Sequence, residues 1–143
     1  MSGEVFVDTN VLVYAVADAQ SKRVIAQSLL AENEIVVSTQ VINEFVAVCL
    51  RKRILSQADT IKVAREFLDV LRVTTLSKAT IELSLDLMVS YQFSYWDSLI
   101  IAAAIESGCS LLYSEDLQDG QIIFQRLTIR NPFSSPIATA QMT

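Results

Sequence analysis

The sequence predicts a single α/β domain in which helices cover both faces of a mainly parallel sheet, giving a three-layer α/β/α sandwich. Short apolar runs typical of buried strands alternate with longer segments that have helical periodicity. Strands that alternate with helices favour parallel pairing through right-handed crossover connections. No repeat or linker divides the chain, so we expect one domain over residues 1–133. The remaining residues, 134–143, are small and polar and are predicted to form a disordered tail.

Each predicted element has a local reason. The strands are short apolar runs, several of them rich in β-branched residues, and the helices carry apolar residues three and four positions apart. Ser56 and Ser77 open helices as capping residues, and Gly108 supplies a left-handed stop. In chain order we predict a strand over 5–7, helices over 10–17 and 21–31, a strand over 35–37, helices over 39–52 and 56–71, a strand over 73–76, helices over 77–90 and 96–107, and strands over 111–113 and 127–129.

Composition excludes several kinds of chemistry. The chain of 143 residues has no histidine, which removes histidine triads, His-ligated zinc and imidazole acid–base catalysis. Its formal net charge is −5, so the whole molecule does not attract nucleic acid. Phosphate chemistry would therefore need a cation to mask the protein's own carboxylates. The catalytic groups that remain are mainly carboxylates and hydroxyls.

The apolar segments favour a cytoplasmic protein without a membrane span. Mean hydropathy is high at +0.40, yet the longest apolar run, 99–105, is far shorter than the roughly 18 residues that cross a bilayer. The start of the sequence lacks the basic segment of a signal peptide. Cys49 and Cys109 stand apart, as expected of reduced core thiols rather than of a disulfide or metal motif.

Four carboxylates stand where an ordinary surface helix would not place them. Asp8 ends the first strand and Asp116 follows a later one, at the sheet edge where open α/β sheets bind ligands. Glu44 shares the apolar face of its helix, and no basic residue lies three or four positions away. Asp97 begins the most apolar helix. Mutually repelling carboxylates that share one edge are typical ligands of a hard divalent cation, Mg²⁺ or Mn²⁺.

Structural alternatives remain open for each acid. Asp8 could cap the following helix, and Asp97 could complement a helix dipole. Asp116 and Asp119 could form the turn before Gly120. Glu44 could belong to a long-range salt bridge or a rim position.

The chain resembles the PIN domain family, and within it is most similar to the VapC-type ribonuclease toxins of toxin–antitoxin pairs. The resemblance extends over residues 5–133, and it depends on four short motifs in the expected order and spacing. They are Val7-Asp8-Thr9-Asn10-Val11-Leu12, Ser38-Thr39-Gln40-Val41-Ile42-Asn43-Glu44-Phe45, Tyr95-Trp96-Asp97-Ser98-Leu99-Ile100 and Leu112-Tyr113-Ser114-Glu115-Asp116-Leu117.

This resemblance implies a Mg²⁺-dependent endoribonuclease whose catalytic, metal-binding acids are Asp8, Glu44, Asp97 and Asp116. It also implies products with 5′-phosphate and 3′-hydroxyl ends, a homodimer, and an antitoxin protein that covers the acidic cleft. Asp119 would be a fifth ligand or an outer-shell group, and Glu115 is expected to point away. The supporting polar residues would be Thr9, Asn10 and Ser114.

Basic and aromatic residues are the candidates for RNA contact. Arg51, Lys52 and Arg53 could track phosphates, although a position at a helix C-terminus also suits them as partners of the helix dipole. Tyr95 and Trp96 could stack on bases, but beside a buried helix we expect them in the core or in an interface.

Two other functions compete with the nuclease. The first is a metal- or RNA-binding PIN-like module that acts through protein partners without turnover. The second is a phosphoryl-transfer protein, either a receiver domain or an aspartyl phosphatase. The phosphatase signature needs an acid where Asn10 stands, and a receiver needs a lysine near the strand end at 111–114, where none occurs.

Overall fold

A computed structural model describes residues 3–134, and in this range six helices surround a six-stranded sheet. The α/β class predicted from the sequence is confirmed. In chain order the elements are β1 (Glu4–Val7), α1 (Thr9–Val16), α2 (Ser21–Glu32), β2 (Glu34–Ser38), α3 (Thr39–Arg51), α4 (Gln57–Val70), β3 (Arg72–Thr74), α5 (Lys78–Tyr91), α6 (Tyr95–Glu106), β4 (Leu111–Tyr113), β5 (Ile122–Ile123) and β6 (Leu127–Arg130).

The sheet has the strand order β3-β2-β1-β4-β6-β5, and every neighbouring pair is parallel except β5 and β6. From β1 the chain adds β2 and then β3 on one side, and returns to place β4 on the other side of β1. The direction of winding therefore reverses between β1 and β4. In open α/β sheets, the crevice at the carboxyl ends of two such strands is where ligands bind.

The same reversal explains the three layers. Right-handed crossovers that run in opposite directions along a sheet place their helices on opposite faces. Helices α1 to α4 belong to the outward path and pack on one another, whereas α5 and α6 belong to the return path and pack together. Both groups rest on the central strands, since α3 and α6 each contact β2.

The most apolar helix is also the most buried. In α6 every residue from Ser98 to Ile105 is buried, which agrees with the apolar character expected of it on nearly every face. Phe6, Phe45 and Leu112 are fully buried in the same core. Both cysteines are buried and free, as predicted. Within residues 3–134 no helix combines the length and the apolar character that a membrane span requires.

Serine caps fix where several helices begin. The side chains of Ser38, Ser56, Ser77 and Ser94 each accept a hydrogen bond from a backbone N–H in the first turn of α3, α4, α5 and α6. Ser94 thereby fixes the start of α6, the helix that carries Asp97. At the other end, Gly108 has φ +83° and stops α6 in the left-handed conformation predicted for it.

The structure departs from the predictions at two strands. β3 ends at Thr74 instead of continuing to Leu76, and β5 was not predicted. The turn between β5 and β6 places Phe124 and Gln125 at φ +50° and +56°. Such turns normally contain glycine or asparagine, so the usual sequence signal of a hairpin is missing here. The predicted disordered tail lies outside the described residues apart from Ser134.

Candidate active site

A cavity of about 600 Å³ opens at the carboxyl ends of β1 and β4, where the winding of the sheet reverses. Asp8, Glu44, Asp97 and Asp116 all line it. They come from four different elements: the ends of β1 and β4, the middle of α3 and the first turn of α6. The structure therefore brings the four predicted acids to one cavity.

Asp8 is the most enclosed of the four acids, with 7% of its surface exposed. Its Oδ1 accepts a hydrogen bond of 2.7 Å from the backbone N–H of Thr9, and its Oδ2 accepts one of 2.8 Å from the Ser114 hydroxyl. The first bond caps α1, so the capping interpretation is also correct. Capping alone does not explain why Asp8 is buried or why its carboxylate has a second hydrogen-bond partner, Ser114, at the end of β4.

Burial sets the ionisation of two of the acids. Loss of solvent raises the pKa of Asp8 to about 6, and the charges of Asp116 and Glu44 add to this, although the bonds from Ser114 and Thr9 oppose it. Burial likewise raises the pKa of Asp97, with a further contribution from Asp116 and Glu44 and an opposing one from Ser94. The negative charges of these carboxylates therefore repel one another across the cavity. A bound cation would relieve that repulsion.

Glu44 is half-buried and is held by two polar neighbours. The Thr9 hydroxyl donates a hydrogen bond of 2.7 Å to Oε1, and the amide nitrogen of Gln40 donates one of 3.2 Å to Oε2. No ion pair with Glu44 occurs in the described part of the chain, so the long-range salt bridge is not observed there. The Thr9 side chain therefore orients the Glu44 carboxylate.

Gln40 also connects two of the helices that carry acids. The same amide nitrogen donates a hydrogen bond of 3.2 Å to the backbone carbonyl of Trp96, the residue before Asp97. Gln40 is buried, and its Oε1 has no hydrogen-bond partner among residues 3–134. Gln40 is not among the site residues predicted from the sequence. Its position one helical turn before Glu44 was the available signal.

Asn10 and Ser114 organise the loop that carries Asp116. The Asn10 amide donates a hydrogen bond of 3.3 Å to Oδ2 of Asp116, and its carbonyl oxygen accepts one of 3.2 Å from the backbone N–H of Glu115. The Ser114 hydroxyl oxygen accepts one of 3.1 Å from the backbone N–H of Asp116. Both side chains therefore orient acids.

The structure separates Asp119 from the other acids. Asp119 is exposed and is not one of the cavity-lining residues, and its Oδ1 accepts a hydrogen bond of 2.9 Å from the backbone N–H of Asn131. This arrangement is typical of a loop-forming aspartate, and it matches the turn interpretation better than a ligand role.

Glu115 does line the cavity, contrary to the expectation that it points away. Its carboxylate accepts hydrogen bonds of 2.6 Å from both the Tyr14 hydroxyl and Lys22 Nζ, and the lysine also lies 4.7 Å from the Tyr14 ring centroid. The Lys22 charge thus neutralises one wall of the cavity. No local pattern in the sequence signals this contact, because Lys22 and Glu115 are 93 residues apart.

The basic triplet divides at the cavity rim. Arg51 and Lys52 line the cavity at the C-terminal end of α3, whereas Arg53 does not and adopts φ +54°. Trp96 also lines the cavity and is 64% exposed, so of its two expected places, the core or an interface, the core is excluded. Tyr95 is half-buried and packs edge-on against Trp96.

The donor set suits a hard cation, but the acids are not gathered around one point. Five carboxylates line the cavity, counting Glu115, without histidine or thiolate, and such a donor set favours Mg²⁺ or Mn²⁺ over softer metals. In the span from Gly3 to Ser134, no three acidic or cysteine side chains are arranged to hold one ion. The residues thus fit a divalent cation by type and location, and binding requires their side chains to move closer together.

Comparison with known proteins identifies the family and the fold of the chain. The family profile described as "PIN domain" matches residues 5–121. A search of curated proteins found no significant match. Solved structures resemble the chain in fold. VapC20 from Mycobacterium tuberculosis, described as a toxin that cleaves the sarcin–ricin loop, is 19% identical with a TM-score of 0.66, covering 78% of this chain and 89% of its own.

Two further structures extend the comparison. A toxin–antitoxin complex from Klebsiella pneumoniae contains a chain that is 20% identical, with a TM-score of 0.68, covering 90% of this chain and 98% of its own. The FitAcB structure from Neisseria gonorrhoeae contains one that is 18% identical, with a TM-score of 0.64, covering 92% and 99%. At these identities the likeness concerns the fold.

Proposed function

The chain belongs to the PIN domain family, and from this premise we propose that it is a Mg²⁺-dependent endoribonuclease, the toxin of a toxin–antitoxin pair. One observation carries the proposal. Asp8, Glu44, Asp97 and Asp116 line a single cavity at the reversal point of the sheet, although they come from four separate elements. Mutual repulsion makes such a cluster unfavourable unless it serves a cation.

Three of the four acids have a polar partner that orients the side chain for the proposed reaction. Asp8, Glu44, Asp97 and Asp116 would hold the cation, which when bound would supply a water of lowered pKa and neutralise charge on the phosphate. Ser114 and the backbone of Thr9 fix the Asp8 carboxylate, and the Thr9 hydroxyl fixes Glu44. Asn10 steadies Asp116. Because its pKa is about 6, Asp8 is mostly ionised above neutral pH and able to act as a ligand.

The expected products follow from the family. Its ribonucleases imply hydrolysis by water that leaves 5′-phosphate and 3′-hydroxyl ends. The absence of histidine is consistent with this, because attack by the neighbouring 2′-hydroxyl through two imidazoles is excluded. Arg51 and Lys52 line the cavity and supply positive charge for the RNA backbone, which the net charge of −5 would otherwise repel.

The proposed partners are an antitoxin protein and a second copy of the chain. The proposed location of the protein is the cytoplasm. The antitoxin is supported by similar folds solved as toxin–antitoxin complexes. The homodimer is supported by exposed apolar side chains on α5, where Ile81, Leu85 and Met88 recur four and three residues apart.

A second candidate is a PIN-like module that binds RNA or metal without turnover. It is favoured by the finding that no three acids within residues 3–134 are placed to hold one ion. The two candidates differ in a direct way, because only the nuclease forms new RNA ends.

The deciding experiment incubates the purified chain with assorted RNAs in Mg²⁺ and in EDTA, and maps the product ends. The nuclease predicts 5′-phosphate and 3′-hydroxyl ends in Mg²⁺ alone. Asp97→Asn should abolish cleavage, whereas the matched control Asp119→Asn, outside the cavity, should retain it. Binding without new ends would favour the module, and undiminished cleavage by Asp97→Asn would contradict the assignment of the acids.

A further inference from the structure

Lys22 forms an ion pair with a carboxylate on the wall of the cavity. Its Nζ lies 2.6 Å from Oε2 of Glu115, the cavity-lining residue before Asp116. The Tyr14 hydroxyl donates a hydrogen bond of 2.6 Å to the other oxygen, Oε1. Both carboxylate oxygens of Glu115 therefore already have a donor from the protein. Among the five acids that line the cavity, Glu115 alone forms an ion pair with a residue that the structure describes.

Two aromatic rings hold the ammonium of Lys22 in place. Nζ lies 4.7 Å from the ring centroid of Tyr14 and 5.9 Å from that of Phe133, and it donates a hydrogen bond of 3.3 Å to the Tyr14 hydroxyl. The two rings pack edge-on with their centroids 4.9 Å apart. The faces of aromatic rings attract cations. Lys22 therefore has a defined position beside Glu115.

The stability of the fold does not account for a positive charge at this position. Lys22 is the second residue of α2, and Gln20 before this helix provides no side-chain cap. A positive charge in the first turn opposes the helix dipole. The side chains of Lys22 and Glu115 are 40% and 25% exposed, and ion pairs with such exposure add little to stability. The placement of Lys22 therefore points to a role at the cavity.

The charges at the cavity show what this role is. Five carboxylates line it together with Arg51 and Lys52, and Lys22, paired with Glu115, is a third positive charge. With every acid ionised, five negative and three positive charges leave a formal charge of −2, which one divalent cation cancels. Without Lys22, one divalent cation would leave a carboxylate uncompensated. Lys22 thus matches the charge of the cavity to a single divalent cation.

We propose that Lys22 is the internal counterion of the cavity, which holds Glu115 back from the divalent cation so that one cation binds to the other four acids. This inference rests on the cation site of the proposed function and adds a positioning residue to it. Lys22 acts through Glu115, because it and Tyr14 occupy both oxygens of that carboxylate. Once released, Glu115 adds its full negative charge to the cavity and strengthens cation binding.

A purely structural role of the ion pair makes a different prediction. The pair joins α2 to the loop that carries Asp116. If it only anchored this loop, loss of either partner would misplace Asp116, and both losses would weaken cation binding. A counterion predicts changes of opposite sign. Loss of the Lys22 charge strengthens cation binding, whereas loss of the Glu115 charge weakens it because Lys22 is left unpaired.

Calorimetric titration of Mn²⁺ into the chelator-treated full chain, without RNA, distinguishes these roles. We expect one equivalent of Mn²⁺ to bind the wild type. Lys22→Met should bind it about fivefold more tightly and Glu115→Gln about fivefold more weakly, as expected for a unit charge near a divalent cation. The double variant should return to within about twofold of the wild type, because the two charge changes cancel.

Two control variants test whether pairing with Glu115 matters. Lys22→Arg keeps the charge and should keep the wild-type affinity for Mn²⁺. Arg23→Met removes a positive charge from the next position of α2, which is exposed and has no ion pair within residues 3–134. Its affinity should stay within about twofold of the wild type. Urea unfolding establishes that each variant is folded. If Lys22→Met does not fold, the double variant compared with Glu115→Gln decides the question.

The inference is overturned if the wild type binds two equivalents of Mn²⁺, if Lys22→Met binds it equally or more weakly, or if Arg23→Met strengthens binding as much as Lys22→Met. The proposed function fails separately. If the affinities change in opposite directions but the wild type cleaves no RNA, the counterion stands without the nuclease. If the wild type cleaves RNA but Lys22→Met leaves the affinity unchanged, the nuclease stands and Lys22 is not its counterion.

Discussion

The Ser114 hydroxyl donates a hydrogen bond of 2.8 Å to Oδ2 of Asp8, between residues 106 positions apart in the sequence. The two residues follow directly after the paired residues Phe6–Leu112 and Val7–Tyr113 in adjacent parallel strands. The backbone N–H of Asp8 also donates a hydrogen bond of 2.9 Å to the backbone carbonyl of Tyr113. The register of β1 on β4 thus fixes the acid to its donor.

Ser114→Ala should destabilise the fold at neutral pH by about 1.5–3 kcal/mol, because a buried carboxylate loses one of its donors. Urea unfolding measures the change. Ser98→Ala is the matched control. Ser98 is also buried, but its hydroxyl has no hydrogen-bond partner among residues 3–134, so its removal should cost less than about 1 kcal/mol. Equal losses for the two variants would contradict the assigned role of Ser114.

Stability without metal should fall as pH rises through the pKa of Asp8. That pKa is raised from 3.8 to about 6, so folding disfavours the charged form. The contribution of Asp8 to the free energy of unfolding is fully present below about pH 4 and lost above about pH 6, a change of about 3 kcal/mol. Asp8→Asn should flatten this dependence in EDTA, whereas Asp119→Asn should not. An unaltered pH profile for Asp8→Asn would show that Asp8 does not titrate in this way.

Divalent cation should stabilise the folded chain through the cavity acids. At a hundredfold excess over Kd, binding to the folded state alone contributes about 2.7 kcal/mol. Thermal melts with Mg²⁺ and with EDTA should show that Asp116→Asn loses much of this gain. Asp119→Asn, outside the cavity, should keep it. The reverse order would mean that Asp119 is the ligand contributed by this loop.

Gln40→Leu should reduce RNA cleavage more than it reduces stability. The substitution destabilises the fold by removing the hydrogen bonds to Glu44 and to the carbonyl of Trp96. It also stabilises the fold by removing a buried oxygen that has no partner within residues 3–134. Because these effects oppose each other, we expect the free energy of unfolding in urea to fall by less than about 1.5 kcal/mol. Cleavage should fall about tenfold because the hydrogen bond that joins α3 to α6, the helices that carry Glu44 and Asp97, is lost. Asn43→Ala, at an exposed position on the same helix, is the control.

The basic residues at the rim should differ in their effect on RNA binding. Arg51→Gln should lower the slope of log affinity against log salt by about 0.7, the value expected for one phosphate contact of a single strand. Arg53→Gln keeps the same chemistry outside the cavity and should leave the slope unchanged. Equal slopes for both variants and the wild type would indicate that Arg51 interacts with the helix dipole and does not contact RNA phosphates.

The sequence predicted most of what local patterns encode. Strand-end acids such as Asp8 and Asp116 follow apolar runs, so their shared edge could be inferred from the alternation of strands and helices. The core alternative for Trp96 is excluded, and it could not be excluded from the sequence, because an apolar helix such as α6 does not reveal which residue of its first turn faces a cavity. The Lys22–Glu115 pair and β5 depend on distant partners or an unusual turn, neither of which leaves a local signal.

The late position of β4 in the chain also governs when the cavity can form. β1 is completed within the first ten residues, but its neighbour on one side begins only at Leu111. During synthesis a nascent chain that ends before β4 has neither the Ser114 donor nor Asp116, and one edge of β1 has no strand to pair with. The cavity is therefore assembled only after most of the domain has been translated. A truncated translation product that stops short of Leu111 is expected to be inactive and prone to aggregation through that open edge.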